Sequence, residues 1–310
     1  MKPLFLIAML LWILPAPALT QPAGTQPAGT QPAGAQPAGG DTPPGSPIAI
    51  GTHYSLSAAA LGDTREVNVW LPDGYARATD RYPVVYLIDG ALDQDFRHIA
   101  GLGSLASLSW TYGPFIIVGV QTRDRRAELT PPPGDPRYRT AFPESGGADR
   151  FRRFLREQVI PFVEARYRTN ATRAVMGESL AGLFVVDTLL RAPALFSDYI
   201  AISPSLWWDD RRPLNQPLPE AIAHKRLFLA AADEGGTMQD GIDRLRRSLG
   251  RLPPGRIEVR YADYSRTATH DTVYHRAAEA ALRWLYPAAP YDNGPTPWFM
   301  IEGASPPVKR

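Results

Sequence analysis

Cysteine is missing altogether from the 310-residue sequence. No disulfide can form and no lipid can be attached through a cysteine, whichever compartment the chain reaches. Net charge is scarce as well. Thirty-three Lys and Arg against 31 Asp and Glu leave +2, and the basic residues are scattered, so nothing points to a nucleic-acid partner. Nor does any apolar run approach the roughly 20 residues that a membrane-spanning helix needs. Histidine is limited to five residues, so any role that requires an imidazole is a choice among few.

The chain begins with Lys2, an apolar run over residues 4–14, and Ala16-Pro17-Ala18. A positive start, a short apolar core and an A-x-A site make a secretory signal peptide. It is expected over residues 1–18, with cleavage near Ala18, a periplasmic or secreted product, and no stable membrane insertion afterwards. From Gln21 the chain reads QPAGT, QPAGT, QPAGA, QPAGG. With Pro and Gly in each unit this repeat can bury no core, so residues 19–48 are expected to be a linker. The tail over residues 288–310 is Pro-rich, and its Trp298-Phe299-Met300 could pack back onto a domain. The catalytic domain is expected over residues 49–287, for which one large domain has room.

Residues 54–60 and 66–71 read as two strands joined at Gly62-Asp63, a hairpin signal. PVVYLI at 83–88 and FIIVGV at 115–120 are continuous apolar runs of the kind that parallel strands show when both faces are covered. Helical spacing marks residues 96–110 and 151–167, with Pro161 expected to kink the second or mark its last turns. Strands are expected at 174–176, 199–202, 226–232 and 257–261, and helices around 242–249 and over 272–285. An antiparallel pair followed by alternating strands and helices implies an α/β fold with a mostly parallel central sheet flanked by helices. In such sheets reactive groups gather at the carboxyl ends of the strands.

The stretch Arg173 to Leu183, R-A-V-M-G-E-S-L-A-G-L, fits that rule. A short apolar strand breaks at small residues, and the apolar helical pattern of Leu183, Val186, Leu189 and Leu190 follows at once. In this setting Ser179 becomes a nucleophile elbow, with room left by Gly177 and Ala181 and the Leu180 amide pointing where an oxyanion forms. A serine hydroxyl is a weak nucleophile and needs a base. His53 and His224 border strands, and His275 lies on the last helix, on the side opposite Ala277, Ala280, Ala281 and Trp284. His98 precedes the serine near the start of a helix, where it could face the pocket and touch substrate. His270 sits between the last strand and the last helix, where a hydrolase of this architecture needs its base.

The acid that would orient the imidazole is expected just after a strand, as Glu234 or Asp233; a Ser–His dyad without it stays open. Gly90 and Ala91 end a core strand in a tight loop, and the Ala91 amide is the expected second oxyanion donor. In Ser203-Pro204-Ser205-Leu206-Trp207-Trp208, the two indoles could wall an apolar acyl group, one inward and one partly exposed.

With P-V-V-Y-L-I-D-G before it and A-I-S-P-S-L-W-W after it, V-M-G-E-S-L-A-G-L-F-V-V-D resembles the esterase D-like branch of the α/β hydrolases. More closely, it is similar to bacterial hydrolases related to periplasmic siderophore trilactone esterases. The likeness runs over roughly residues 54–286. It implies the α/β-hydrolase fold, Ser179 as nucleophile, His270 as base, an oxyanion amide from Gly90-Ala91, and Arg126 in a basic loop beside the pocket that would help to hold anionic ligands. Two positions depart from the family. Ala181 replaces the usual second glycine of the elbow. Glu178 puts a carboxylate beside the nucleophile, where it would disfavour anionic substrates or bind a cation. The expected protein is a serine esterase acting on a small-molecule ester, with no metal and no cofactor. The alternatives are acyl transfer on the same fold, or a non-catalytic envelope-associated binding domain carried on the repeat.

Overall fold

In the computed structural model, which describes residues 46–290, 294 and 296–306, every residue of the apolar strand Ile116–Val120 is buried. The strand over Tyr82–Ile88 is buried at all positions except Pro83. The runs therefore do form strands covered on both faces. In chain order the strands are β1 Thr52–Ala58, β2 Asp63–Trp70, β3 Tyr82–Ile88, β4 Ile116–Val120, β5 Thr169–Glu178, β6 Asp198–Ile202, β7 Lys225–Ala231 and β8 Ile257–Asp263. The helices are α1 Phe96–Ser109, α2 Arg125–Leu129, α3 Pro136–Ala141, α4 Ala148–Phe154, α5 Ile160–Arg166, α6 Leu180–Arg191, α7 Gly236–Leu249 and α8 Val273–Leu285.

The strands form one eight-stranded sheet in the order β1-β2-β4-β3-β5-β6-β7-β8. β1 and β2 pair antiparallel and β2 joins β4 antiparallel, whereas the remaining pairings are parallel. This is the mostly parallel α/β sheet with an antiparallel hairpin at its start that the sequence implies.

Strand alternation divides the core in two. Tyr86, Ile88 and Val175 face one layer with Phe151, Phe154, Phe184 and Ile242, drawn from α4, α6 and α7. Val85, Leu87, Ala174 and Met176 face the other with Phe96, Ile99, Ala277 and Ala281, drawn from α1 and α8. The nucleophile helix α6 buries nine of its residues. Arg152 ties α4 to it through Asp187, donating to Oδ2 at 2.6 Å, both side chains being almost wholly buried.

Two expectations need correction. Residues 151–167 are not one plain helix. α4 and α5 are joined by a π turn over Leu155–Val159, with the Ile160 amide reaching back to the Leu155 carbonyl. Pro161 has no amide proton and its ring crowds the preceding turn, and a wider turn ahead of it relieves both without ending the helix. In the tail, Trp298, Phe299 and Met300 do not pack back; they are 41%, 68% and 71% exposed. The leader over residues 1–18 and the repeat over residues 21–40 lie outside the described residues. Among the described residues no helix is long and apolar enough to cross a membrane.

Candidate active site

Three non-glycine residues adopt positive φ at the carboxyl ends of neighbouring strands: Asp89 after β3 (61°), Ser179 after β5 (57°) and Ser203 after β6 (41°). Such conformations cost energy and persist where packing enforces them, which is typical of functional sites. At Ser179 the enforcing parts are visible. A Cβ on Gly177 would lie 2.6 Å from that of Ala181, and one on Gly182 would lie 2.9 Å from the Ile202 carbonyl oxygen. The Ser179 amide donates to the Ile202 carbonyl (3.0 Å), so the turn is pinned to β6. The Leu180 amide opens α6 and has no hydrogen-bond partner among the described residues.

Residues far apart in sequence meet at this edge. His270 Nε2 lies 3.1 Å from Ser179 Oγ, and its Nδ1 lies 2.9 Å from Glu234 Oε2. Glu234 Oε1 accepts from the Ala232 amide (3.0 Å) and from the Ser203 hydroxyl. The Glu234 side chain is 1% exposed. Burial alone would raise its pKa, but the bonds from His270, Ser203 and Ala232 outweigh it and hold the carboxyl below its ordinary value. The hydrogen bond from Glu234 in turn raises the His270 imidazole above its usual 6.5, against the opposing pull of burial. Asp233, the other candidate acid, is exposed, and its amide donates to Ala268.

A neutral imidazole so held accepts a hydroxyl proton at Nε2 while its Nδ1–H stays bonded to the carboxylate. Ser205 adds a contact that the sequence did not signal: its hydroxyl lies 3.2 Å from Ser179 Oγ, and its amide donates to the Ser179 carbonyl (2.9 Å). Ser203 and Ser205 thus brace the two ends of the relay from the loop after β6. The only hint in the sequence was their place immediately after a core strand.

The other expected residues are distributed unevenly. The Gly90 amide is taken up by the Val120 carbonyl (2.9 Å). The Ala91 amide donates to Gln94 Oε1 (3.0 Å), whose Nε2 donates to the Thr122 carbonyl (2.8 Å), so a side-chain carbonyl already sits on the expected oxyanion donor. Trp208 is fully buried, its Nε1 donating to the Pro131 carbonyl (3.0 Å). It is packing beneath the loop and not an open wall, while Trp207 is partly exposed beside Tyr138. His98 is paired with His275, Nε2 to Nδ1 at 3.0 Å, and packs edge-on against Tyr274. Its ring is engaged away from Ser179, and burial followed by the neighbouring His275 lowers its pKa.

Arg126 is exposed over the Phe142 ring. The adjacent Arg125 reaches the site instead: its Nε donates to Asp89 Oδ2 (2.8 Å) and its NH2 to the Glu178 carbonyl (3.2 Å). Consecutive helical residues point about 100° apart, so one of the two must turn away. Glu178 itself is half-buried, and burial pushes it up to about 7, with His270 pulling the other way.

Cavity size does not locate this chemistry. A cavity of about 670 Å³ lies at the amino ends of β6, β7 and β8, and one of about 690 Å³ lies between residues 48–52 and α1; neither is lined by Ser179 or His270. Among the described residues no three His, Asp or Glu side chains are grouped as a metal site would need.

Known proteins repeat this arrangement of strands. The sequence pattern of the family described as "Putative esterase" matches residues 58–277. The ferri-bacillibactin esterase BesA of Bacillus subtilis is 29% identical over 247 residues, covering 68% of this chain and 81% of that protein. A siderophore enterobactin esterase of Emericella nidulans is 40% identical over 101 residues, covering 30% of this chain and 33% of that protein. Among solved structures, an IroE-like serine hydrolase from Shewanella oneidensis superposes with a TM-score of 0.66 at 29% identity, covering 76% of this chain and 80% of that one.

Proposed function

The chain belongs to the esterase family whose pattern spans residues 58–277 and is a carboxylic ester hydrolase, and on that premise we propose that it cleaves its ester through an acyl-serine intermediate on Ser179. The observation that carries this is the continuous line from Ser179 Oγ to His270 Nε2 (3.1 Å) and from His270 Nδ1 to Glu234 (2.9 Å).

Ser179 Oγ attacks the ester carbonyl carbon as His270 Nε2 takes its proton, and Glu234 stabilises the imidazolium that forms. The negative charge on the carbonyl oxygen is met by the Leu180 amide, and by the Ala91 amide once the Gln94 side chain turns off it. The C–O bond to the alcohol breaks and His270 returns its proton to the leaving oxygen. Water, deprotonated by the same imidazole, then attacks the acyl carbon and frees Ser179. The partly exposed Trp207 is the aromatic surface available to the acyl group.

Residues 1–18 support export to the periplasm or beyond, followed by cleavage near Ala18; the amino-terminal sequence of the exported protein tests this. The relatives named as siderophore esterases make siderophore esters the first natural substrates to assay. The catalytic test is turnover of p-nitrophenyl acetate, butyrate and octanoate by the mature protein beside Ser179→Ala and His270→Ala. Turnover by the native protein alone supports the proposal. Activity retained in Ser179→Ala would falsify it.

A further inference from the structure

Acceptor atoms without donors collect beside the nucleophile. Glu178 ends β5 directly before Ser179, Asp89 follows β3, Asp95 precedes α1, and Tyr274 lies in the first turn of α8. Asp89 is compensated, for Oδ1 accepts from the Thr122 hydroxyl and Oδ2 from Arg125. The other two acids are not. Arg125 spends its remaining contact on the Glu178 main-chain carbonyl and not on the carboxylate, and Glu178 Oε1 is buried with no hydrogen-bond partner. Asp95 makes no cap bond at its own helix.

A separate observation comes from α8. Tyr274 is only 7% exposed, and its hydroxyl forms no hydrogen bond of normal geometry although it faces Asp95. A buried hydroxyl and a buried carboxylate oxygen without partners are each costly. Burial and Asp89 push the Asp95 carboxyl up to about 6, and Asp95 in turn adds to the rise at Glu178. The Glu178 carboxylate also acts on His270, so this group of acceptors shares the space in which the ester is attacked. What the group lacks is a cation with several donors.

We propose that Glu178, Asp95 and Tyr274 form a subsite for an ammonium group carried by the ester substrate close to its scissile carbonyl. An ammonium brings a full positive charge and up to three N–H donors, which match two carboxylates and a phenol oxygen. The same acceptors repel a carboxylate on the substrate. The inference rests on the serine-hydrolase reading and narrows it to esters of amino-bearing acids or amino-bearing alcohols.

The test compares kcat/KM within two isosteric pairs at pH 7, with p-nitrophenyl acetate as reference. L-alanine methyl ester against methyl isobutyrate probes an ammonium on the acyl side. 2-(Trimethylammonio)ethyl acetate against 3,3-dimethylbutyl acetate probes one on the alcohol side. The native protein should prefer the charged ester in one pair by about tenfold or more, equivalent to about 1.4 kcal/mol. That ratio should fall towards one in Glu178→Gln and in Asp95→Asn. Turnover of the reference ester with no preference in either pair overturns the ammonium subsite and leaves the esterase intact. A preference unchanged in both variants also overturns it. Failure on the reference ester itself brings down the serine-hydrolase reading and the subsite with it.

Discussion

The hydroxyl of Ser205 lies 3.2 Å from that of Ser179, and the Ser205 amide holds the Ser179 carbonyl at 2.9 Å. The nucleophile is thus held from two sides, by the imidazole and by a second serine that is 3% exposed. Ser205→Ala removes one neutral hydrogen bond, which is worth about 1 kcal/mol. The expected result is a roughly three- to tenfold fall in kcat/KM on p-nitrophenyl acetate with the fold retained by circular dichroism. A fall beyond about a hundredfold would place Ser205 within the reacting machinery.

The pH profile follows from the imidazole. His270 accepts a proton only when neutral, and its pKa is raised by the bond from Glu234. Activity should therefore rise with pH through a midpoint above 6.5. Glu234→Gln removes the charge that raises it, so the midpoint of the residual activity should move down, and kcat should fall at least about a hundredfold. Stability carries the opposite sign. The charged His270–Glu234 pair contributes fully below the unfolded histidine pKa and is lost as pH rises through the higher folded value. A residual-activity profile with an unmoved midpoint would remove Glu234 from its role.

Ser203 offers a way to separate strain from hydrogen bonding. Its φ of 41° is unfavourable for any residue with a Cβ, while its hydroxyl donates to Glu234. Ser203→Gly eases the backbone and deletes the donor. Thermal stability should hold or rise, and kcat should drop about tenfold as the carboxylate loses one of its donors. Loss of both activity and stability would mean that the side chain chiefly serves packing.

Arg152 is the stability counterpart. It is almost wholly buried and bonds Asp187 Oδ2 and Thr188 Oγ1, while Arg191 also reaches Asp187 from the surface. Arg152→Leu leaves the buried Asp187 with that single exposed partner and should cost about 3 kcal/mol in urea denaturation. Adding Asp187→Leu should recover much of the loss, because no unpaired charge then remains.

The sequence by itself determined the layered sheet, the elbow and the loop that carries His270. Each depends on a pattern that is local. Continuous apolar runs such as Ile116–Val120 must be covered on both faces, and a strand meeting a helix across Gly177, Ser179 and Gly182 leaves the serine one conformation. Neighbouring residues in the loops obey no such period. Glu234 rather than Asp233 meets His270 because Ser203, 31 residues away, and the Ala232 amide fix its carboxylate. Arg125 rather than Arg126 enters the site because Asp89, 36 residues away, takes its guanidinium. The pairing of His98 with His275 spans 177 residues, and the capture of the Ala91 amide by Gln94 depends on Thr122 holding that side chain. Only the tertiary structure decided these, because irregular backbone at the end of a sheet takes its side-chain partners from whichever loop packs beside it.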